Sequence, residues 1–196
     1  INPVVNQHQN LNYIALKRNV GYAGGFNAGI QFLYESKLEF DYILLVTNDL
    51  ELDASALDGL VGIMKNDQNI GFLGPETFKR GRSGEHDQWV TKLAHKDNPA
   101  TLVFDNETEV KDEIQIEVEF VVGHCMLIRK EMIIDVGLMR DFFIYWEERE
   151  WQWRAKKKGW KTYVVPGSLC YHDRDSMDKP YNTFWRIRNL IFFNRI

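Results

Sequence analysis

The chain has 196 residues, 44% hydrophobic and 13% aromatic, enough apolar material for one domain with a full core and too much for a disordered one. Its 24 Lys and Arg against 28 Asp and Glu leave a net charge of −4, which excludes a protein whose main task is to grip a nucleic-acid backbone. Cys125 and Cys170 are far apart in apolar runs and read as buried thiols in a reducing, cytoplasmic setting; no Cys–His spacing suits zinc. No apolar run reaches transmembrane length, and a chain that starts at Ile1 and ends at RNLIFFNRI reads as a piece of a longer polypeptide.

In chain order, residues 12–17 alternate and predict a strand. Residues 18–36 are rich in Gly and Asn, then place Phe26, Ile30 and Leu33 at helical spacing, so strand, glycine loop and helix follow one another. FDYILLVTND, residues 40–49, is nearly continuous apolar sequence, the pattern of a central parallel strand covered on both faces. Residues 52–67 predict an amphipathic helix with Asp53 as N-cap, and 70–76 a buried strand. Residues 78–115 are polar without a period, a long loop or small insertion. Residues 114–130 form a strand pair or one long strand, and 130–139 a short helix closed by Gly137. A helix then stops at Gly159, a strand over 160–167 ends at Pro166, and an aromatic, basic, amphipathic segment occupies 180–196. Alternating strands and helices define an α/β domain over 1–179 with a mostly parallel sheet flanked by helices.

Ligands of open α/β sheets sit beyond the carboxyl ends of the strands, which points at Asn48 and Asp49. A carboxylate there suits a divalent metal that also holds phosphate oxygens; capping the next turn is an equal alternative. Gly21, Gly24, Gly25 and Gly29 let backbone approach an anion before a helix, although composition alone favours tight packing. The loop is neither GxGxxG nor a P-loop. A lone histidine such as His172 is structural by default; His124 reads as a core residue, and His8, His86 and His95 carry no assigned role.

FFIYWEEREWQWR, residues 142–154, sets three glutamates among aromatic rings. Glu150 and Arg154 stand in the favoured order for a helical ion pair. Glu147 and Glu148 start the helix, where the dipole welcomes carboxylates. The neighbouring Phe142, Phe143, Tyr145, Trp146 and Trp151 suggest a half-buried wall that raises a carboxylate pKa toward that of a useful base and offers ring faces to a sugar.

NVGYAGGFNAGI, LLVTNDLEL, GHCMLIRKEMIIDVGLMRDFFIYWEEREWQWRAKKKGW and VVPGSLCYH follow in order over residues 19–172. Together they resemble the inverting glycosyltransferases of the GT-A (Rossmann-like) fold, in the family that includes bacterial rhamnosyltransferases and galactofuranosyltransferases. The resemblance implies that Asp49 holds Mn or Mg on a diphosphate, with Thr47 where a full Asp-x-Asp has its first acid, and that His172 completes the site. It implies that Asn19, Gly21, Gly25 and Asn27 line a nucleotide-sugar pocket and that Asn48, Gly123, Trp151 and Arg154 are further substrate contacts. Glu148 falls at the catalytic base position, with Glu147 as the fallback. The first strand–helix–strand portion of such a fold does not precede Ile1. The implied reaction is transfer from a dTDP- or UDP-sugar to a hydroxyl of a saccharide or lipid-linked acceptor, with inversion, in cell-surface polysaccharide synthesis. The alternative is a sugar- or nucleotide-binding scaffold without turnover. Residues 184–196 are expected either to touch the inner face of a membrane or to pack on protein.

Overall fold

A computed structural model describes residues 11–79, 114–172 and 180–195. The elements are α1 (Gly21–Glu35), β1 (Tyr42–Val46), β2 (Leu50–Leu52), α2 (Ala56–Asn66), β3 (Ile70–Lys79), β4 (Ile116–Glu117), β5 (Cys125–Arg129), α3 (Lys130–Val136), α4 (Glu147–Lys157), β6 (Lys161–His172) and α5 (Pro180–Phe193). The stretch expected to be a long loop, with His86 and His95, lies almost wholly outside the described residues, as does His8.

One six-stranded sheet runs β1-β5-β3-β6-β2, with β4 pairing β6. Among the described strands only β3 and β6 pair in parallel; β5 runs antiparallel to both β1 and β3, and β2 and β4 antiparallel to β6. The α/β class holds, but the sheet is mixed rather than mostly parallel. An apolar run reports that a strand is covered on both faces, not which way its neighbours run. The 40–49 run is accordingly β1, at the end of the described strand order rather than at its centre.

Alternate residues of β3 and β5 feed two cores. Phe72, Met126 and Ile128 face a layer with Ala23 and Ile30 of α1, Met132 and Ile133 of α3, and Trp151 and Ala155 of α4. Leu73 and Leu127 face the other way, onto Leu60 and Met64 of α2. Arg129 at the end of β5 is 3% exposed. Its guanidinium donates to the carbonyls of Ile70 (2.7 Å), Asp67 (3.0 Å) and Met64, and to Gln68 Oε1 (2.9 Å), tying β5 to the α2–β3 turn.

Several local expectations change. Residues 11–16 form no strand and are exposed; alternation makes a strand only where a neighbour completes the ladder. The glycine loop is the first turns of α1, which already begins at Gly21. Asp53 does not cap α2 directly. Its Oδ1 accepts from the Ser55 amide (3.0 Å) and hydroxyl (2.7 Å), an Asx turn before a helix that starts later. Strand β6 runs on past Pro166, since a register shift opposite Pro75 and Glu76 absorbs Pro166, Gly167 and Ser168 as a bulge.

Candidate active site

Three strand ends meet at one edge of the sheet. The β1–β5 register pairs Val46 with Cys125, so the residues after β1 lie beside those before β5, and Thr47 N–H donates to the His124 carbonyl at 2.9 Å. The β2–β6 register pairs Leu50 with His172, which brings the Asn48–Asp49 turn to the end of β6. Asp49 Oδ2 and His172 Nε2 are 3.4 Å apart, and the His172 ring stacks on His124 at 4.7 Å and 13°. Burial raises the Asp49 carboxyl, but the Thr47 hydroxyl, a backbone amide and His172 outweigh it and hold the carboxyl below its ordinary value. The residue is half exposed and ionised at neutral pH. A carboxylate and an imidazole in contact fit two positions of a Mn or Mg shell, and among the described residues no third His, Cys, Asp or Glu joins them. The residues present therefore fit a cation whose remaining positions are filled by ligand oxygens and water.

The second half of the site is built by the loop before α4. Phe143, Tyr145 and Trp146 all have left-handed backbone, with φ of 69°, 68° and 78°. Side chains disfavour that conformation, so three cases within four residues mark a loop held in place from outside. It delivers Glu147 and Glu148 to the first turn of α4. Glu147 is 2% exposed. Burial, then the neighbouring Glu148, push its carboxyl up to about 8 against the pull of the Tyr145 and Glu147 amides. Burial also raises Glu148, opposed by the Glu148 and Arg149 amides and the Arg149 charge. Each has a buried Oε2 with no hydrogen-bond partner among the described residues.

Tyr22 and Gly123 join the halves. The Tyr22 amide donates to the Phe143 carbonyl at 2.6 Å, and its hydroxyl donates to the Gly123 carbonyl. A Cβ on Gly123 would stand 2.5 Å from that hydroxyl, and one on Gly21 (φ 73°) would stand 2.0 Å from the Phe143 carbonyl oxygen, so both positions require glycine. Burial, then Glu148 and Glu147, raise the Tyr22 phenol well above its ordinary value, which locates it beside both acids. The site is therefore continuous from Asp49 through His172, His124, Gly123 and Tyr22 to Glu148. Sequence reasoning missed Tyr22; its only signal was an aromatic ring inside a glycine-rich helix start.

Not every expected contact is in place. Trp151 is wholly buried, packs edge-on against Phe72 and donates its indole N–H to the Gly137 carbonyl at 2.7 Å, so it is a core residue rather than a sugar platform. Arg154 is spent on Glu150 (2.8 Å) and on the carbonyls of Val136 (2.6 Å) and Leu138 (2.8 Å), which leaves it no role at a ligand. Arg140 adds a second contact to Glu150 at 3.3 Å. Asn27 bonds the backbone of Met139 in both directions, at 2.9 and 3.2 Å, and acts as a clamp between α1 and the α3–α4 loop. Asn19 Oδ1 accepts from the Gly21 amide at 2.9 Å and starts α1. Gly25 and Asn48 are exposed.

A mixed sheet under helices, with a carboxylate–imidazole corner at its strand ends and an acid pair across from it, defines a GT-A-like α/β protein. The Glycosyl transferase family 2 signature matches residues 1–137, and the chain belongs to that family. It is 24% identical over 157 residues to the low-salt glycan biosynthesis hexosyltransferase Agl10 of Haloferax volcanii, a match that takes in 77% of this chain and 48% of the relative. Among solved structures it resembles GalNAc-T7 with UDP, GalNAc and Mn2+ (TM-score 0.65, 15% identity, 93% of this chain and 36% of the other). It also resembles the mannosyltransferase PcManGT of Pyrobaculum calidifontis in complex with GDP-Man and Mn2+ (TM-score 0.53, 13% identity, 90% and 42%). The chain thus spans about half the length of its curated relative.

Proposed function

We propose that this chain carries the catalytic centre of an inverting glycosyltransferase that moves a sugar from a nucleoside-diphosphate donor to a hydroxyl acceptor. The observation that carries the reading is the acid pair, two adjacent carboxylates with raised pKa and one unpartnered buried oxygen each, set across Gly123 from Asp49 and His172. Two carboxylates this close and this dry do not ionise together cheaply. Burial raises both members, so the pair holds a proton more tightly than free carboxyls do. Glu148, next to the Arg149 charge, takes the proton of the acceptor hydroxyl in its carboxylate form as that oxygen attacks the anomeric carbon. Attack from one face with departure of the diphosphate from the other inverts that carbon.

Asp49 and His172 would hold a divalent cation, which supplies Lewis-acid stabilisation of the leaving diphosphate. The names of the relatives support this choice of donor and metal: one is a hexosyltransferase of glycan biosynthesis, and two are structures with UDP or GDP-Man and Mn2+. The sequence resemblance favours a dTDP- or UDP-sugar and a rhamnosyl- or galactofuranosyl-type reaction on a saccharide or lipid-linked acceptor in polysaccharide synthesis.

A cytoplasmic protein resting on the inner face of a membrane fits α5. Tyr181, Phe184, Ile187 and Ile191 form an exposed stripe at three- and four-residue spacing. The segment holds Arg186, Arg188 and Arg195 and no acid, in a chain of net charge −4, which complements an anionic lipid surface.

The test is a thermal-shift panel of UDP-, dTDP- and GDP-sugars on the full-length protein, with and without Mn2+, beside Asp49→Ala. A metal-dependent shift with one nucleotide, lost in the variant, is the expected outcome. A folded protein that no nucleotide shifts would favour the scaffold reading.

A further inference from the structure

Asn189 lies on the inner face of α5 and is wholly buried. Its amide nitrogen is 3.0, 2.7 and 2.9 Å from the carbonyl oxygens of Phe142, Ile144 and Tyr145. These carbonyls belong to the left-handed loop that delivers Glu147 and Glu148. The Phe143 carbonyl accepts from Tyr22 and the Trp146 carbonyl from Glu150, so all five carbonyls from 142 to 146 have partners. The two hydrogens of the Asn189 amide are shared among three of them, and the Phe142 carbonyl also accepts from the Ile144 amide at 3.0 Å.

The direction of that amide is fixed as well. Arg188 donates to Asn189 Oδ1 at 2.7 Å, which leaves the NH2 end facing the loop. Peptide planarity carries the effect onward. In the plane between Ile144 and Tyr145, the carbonyl points at Asn189 and the N–H points the opposite way. That N–H is the Tyr145 amide, whose pull lowers the Glu147 carboxyl against burial. Asn189 thus fixes the peptide unit whose far end acts on Glu147. Phe193 and Trp185 press the same junction from α5, through ring contacts with Trp146 at 5.5 Å and Phe143 at 4.7 Å.

We infer that Asn189 is a positioning residue for the acid pair: by gathering the carbonyls of the 142–146 loop it aims the loop's amides, and with them Glu147 and Glu148, into the site. The inference rests on the proposed role of those glutamates. It makes α5 a working part of the catalytic centre rather than an appended segment.

The test is steady-state sugar transfer by the full-length protein with Asn189→Ala and Asn189→Leu, the second keeping bulk while removing the donor. Both are expected to lower kcat about 10- to 100-fold, as loss of near-attack geometry does, with KM for the donor within about twofold. The low-pH limb of the pH–rate profile, where the base must lose its proton, is expected to move in both, because the acid pair loses its fixed amides. Asn189→Leu with wild-type kcat and an unmoved profile overturns the inference. If neither variant folds, Arg188→Ala carries the test: a drop of about threefold in kcat with a moved profile supports the latch, and unchanged kcat overturns it. Failure of the underlying reading looks different, since Glu147→Gln and Glu148→Gln would then both retain full turnover.

Discussion

Arg129 and the Glu147–Glu148 pair are both charged groups taken out of water, and the protein treats them in opposite ways. Around Arg129, three carbonyls and one side-chain amide meet the guanidinium. Around the glutamates, two buried oxygens lack partners among the described residues and both carboxyls are pushed upward by burial. Glu150, on the same helix turn, is wholly buried too, yet two arginines neutralise it. Burying an unmatched charge costs stability, so a fold that satisfies Arg129 and Glu150 and leaves their neighbours unsatisfied fits the proposed use of the acid pair.

The largest expected effect breaks the satisfied side of this contrast. Arg129→Ala leaves three buried carbonyls and Gln68 without their donor and should destabilise by about 3 kcal/mol, read as a lower midpoint in urea unfolding. Asp49→Ala should leave the midpoint nearly unchanged and weaken Mn2+-dependent donor binding at least about tenfold, roughly 1.4 kcal/mol by titration calorimetry.

Glu147→Gln sharpens the unsatisfied side through its sign. The folded carboxyl sits at about 8 against an ordinary 4.5, so the folded state keeps a proton that the unfolded chain has lost. Wild-type stability from this group is full below pH 4.5 and falls as pH rises through 8. The variant should therefore be more stable than wild type at pH 9, by about 1–2 kcal/mol, and equal to it at pH 4; equal stability at both would show the carboxyl is not held. Smallest of all, Phe184→Ser and Ile187→Ser on the outer face of α5 should change stability by no more than about 0.5 kcal/mol while lowering binding to anionic vesicles.

Much of the architecture was legible because it is local. Helical spacing placed α1, α2 and α3, Gly137 and Gly159 closed their helices with positive φ, and the i,i+4 pair of Glu150 and Arg154 is present at 2.8 Å. Asp49 was legible as a strand end and His172 only through the family resemblance, since its strand was expected to stop at Pro166; the structure brings the two together. What was not legible depends on partners remote in sequence. The direction of β5 is set by its pairing with β1, about eighty residues upstream, and an apolar run is silent about that. Trp151 reads as a sugar platform in a list of aromatics and as core once Phe72 is beside it. Tyr22 and Asn189 act on Gly123 and the 142–146 loop through long-range hydrogen bonds that no spacing rule announces.

The contrast between satisfied and unsatisfied charge is tested most directly by sugar transfer from its donor by the full-length protein carrying Glu148→Gln. Loss of a positioned base predicts a fall in kcat of about 10²–10⁴-fold, with a melting temperature equal to or above wild type at pH 8. Wild-type kcat in a folded Glu148→Gln protein would contradict the account.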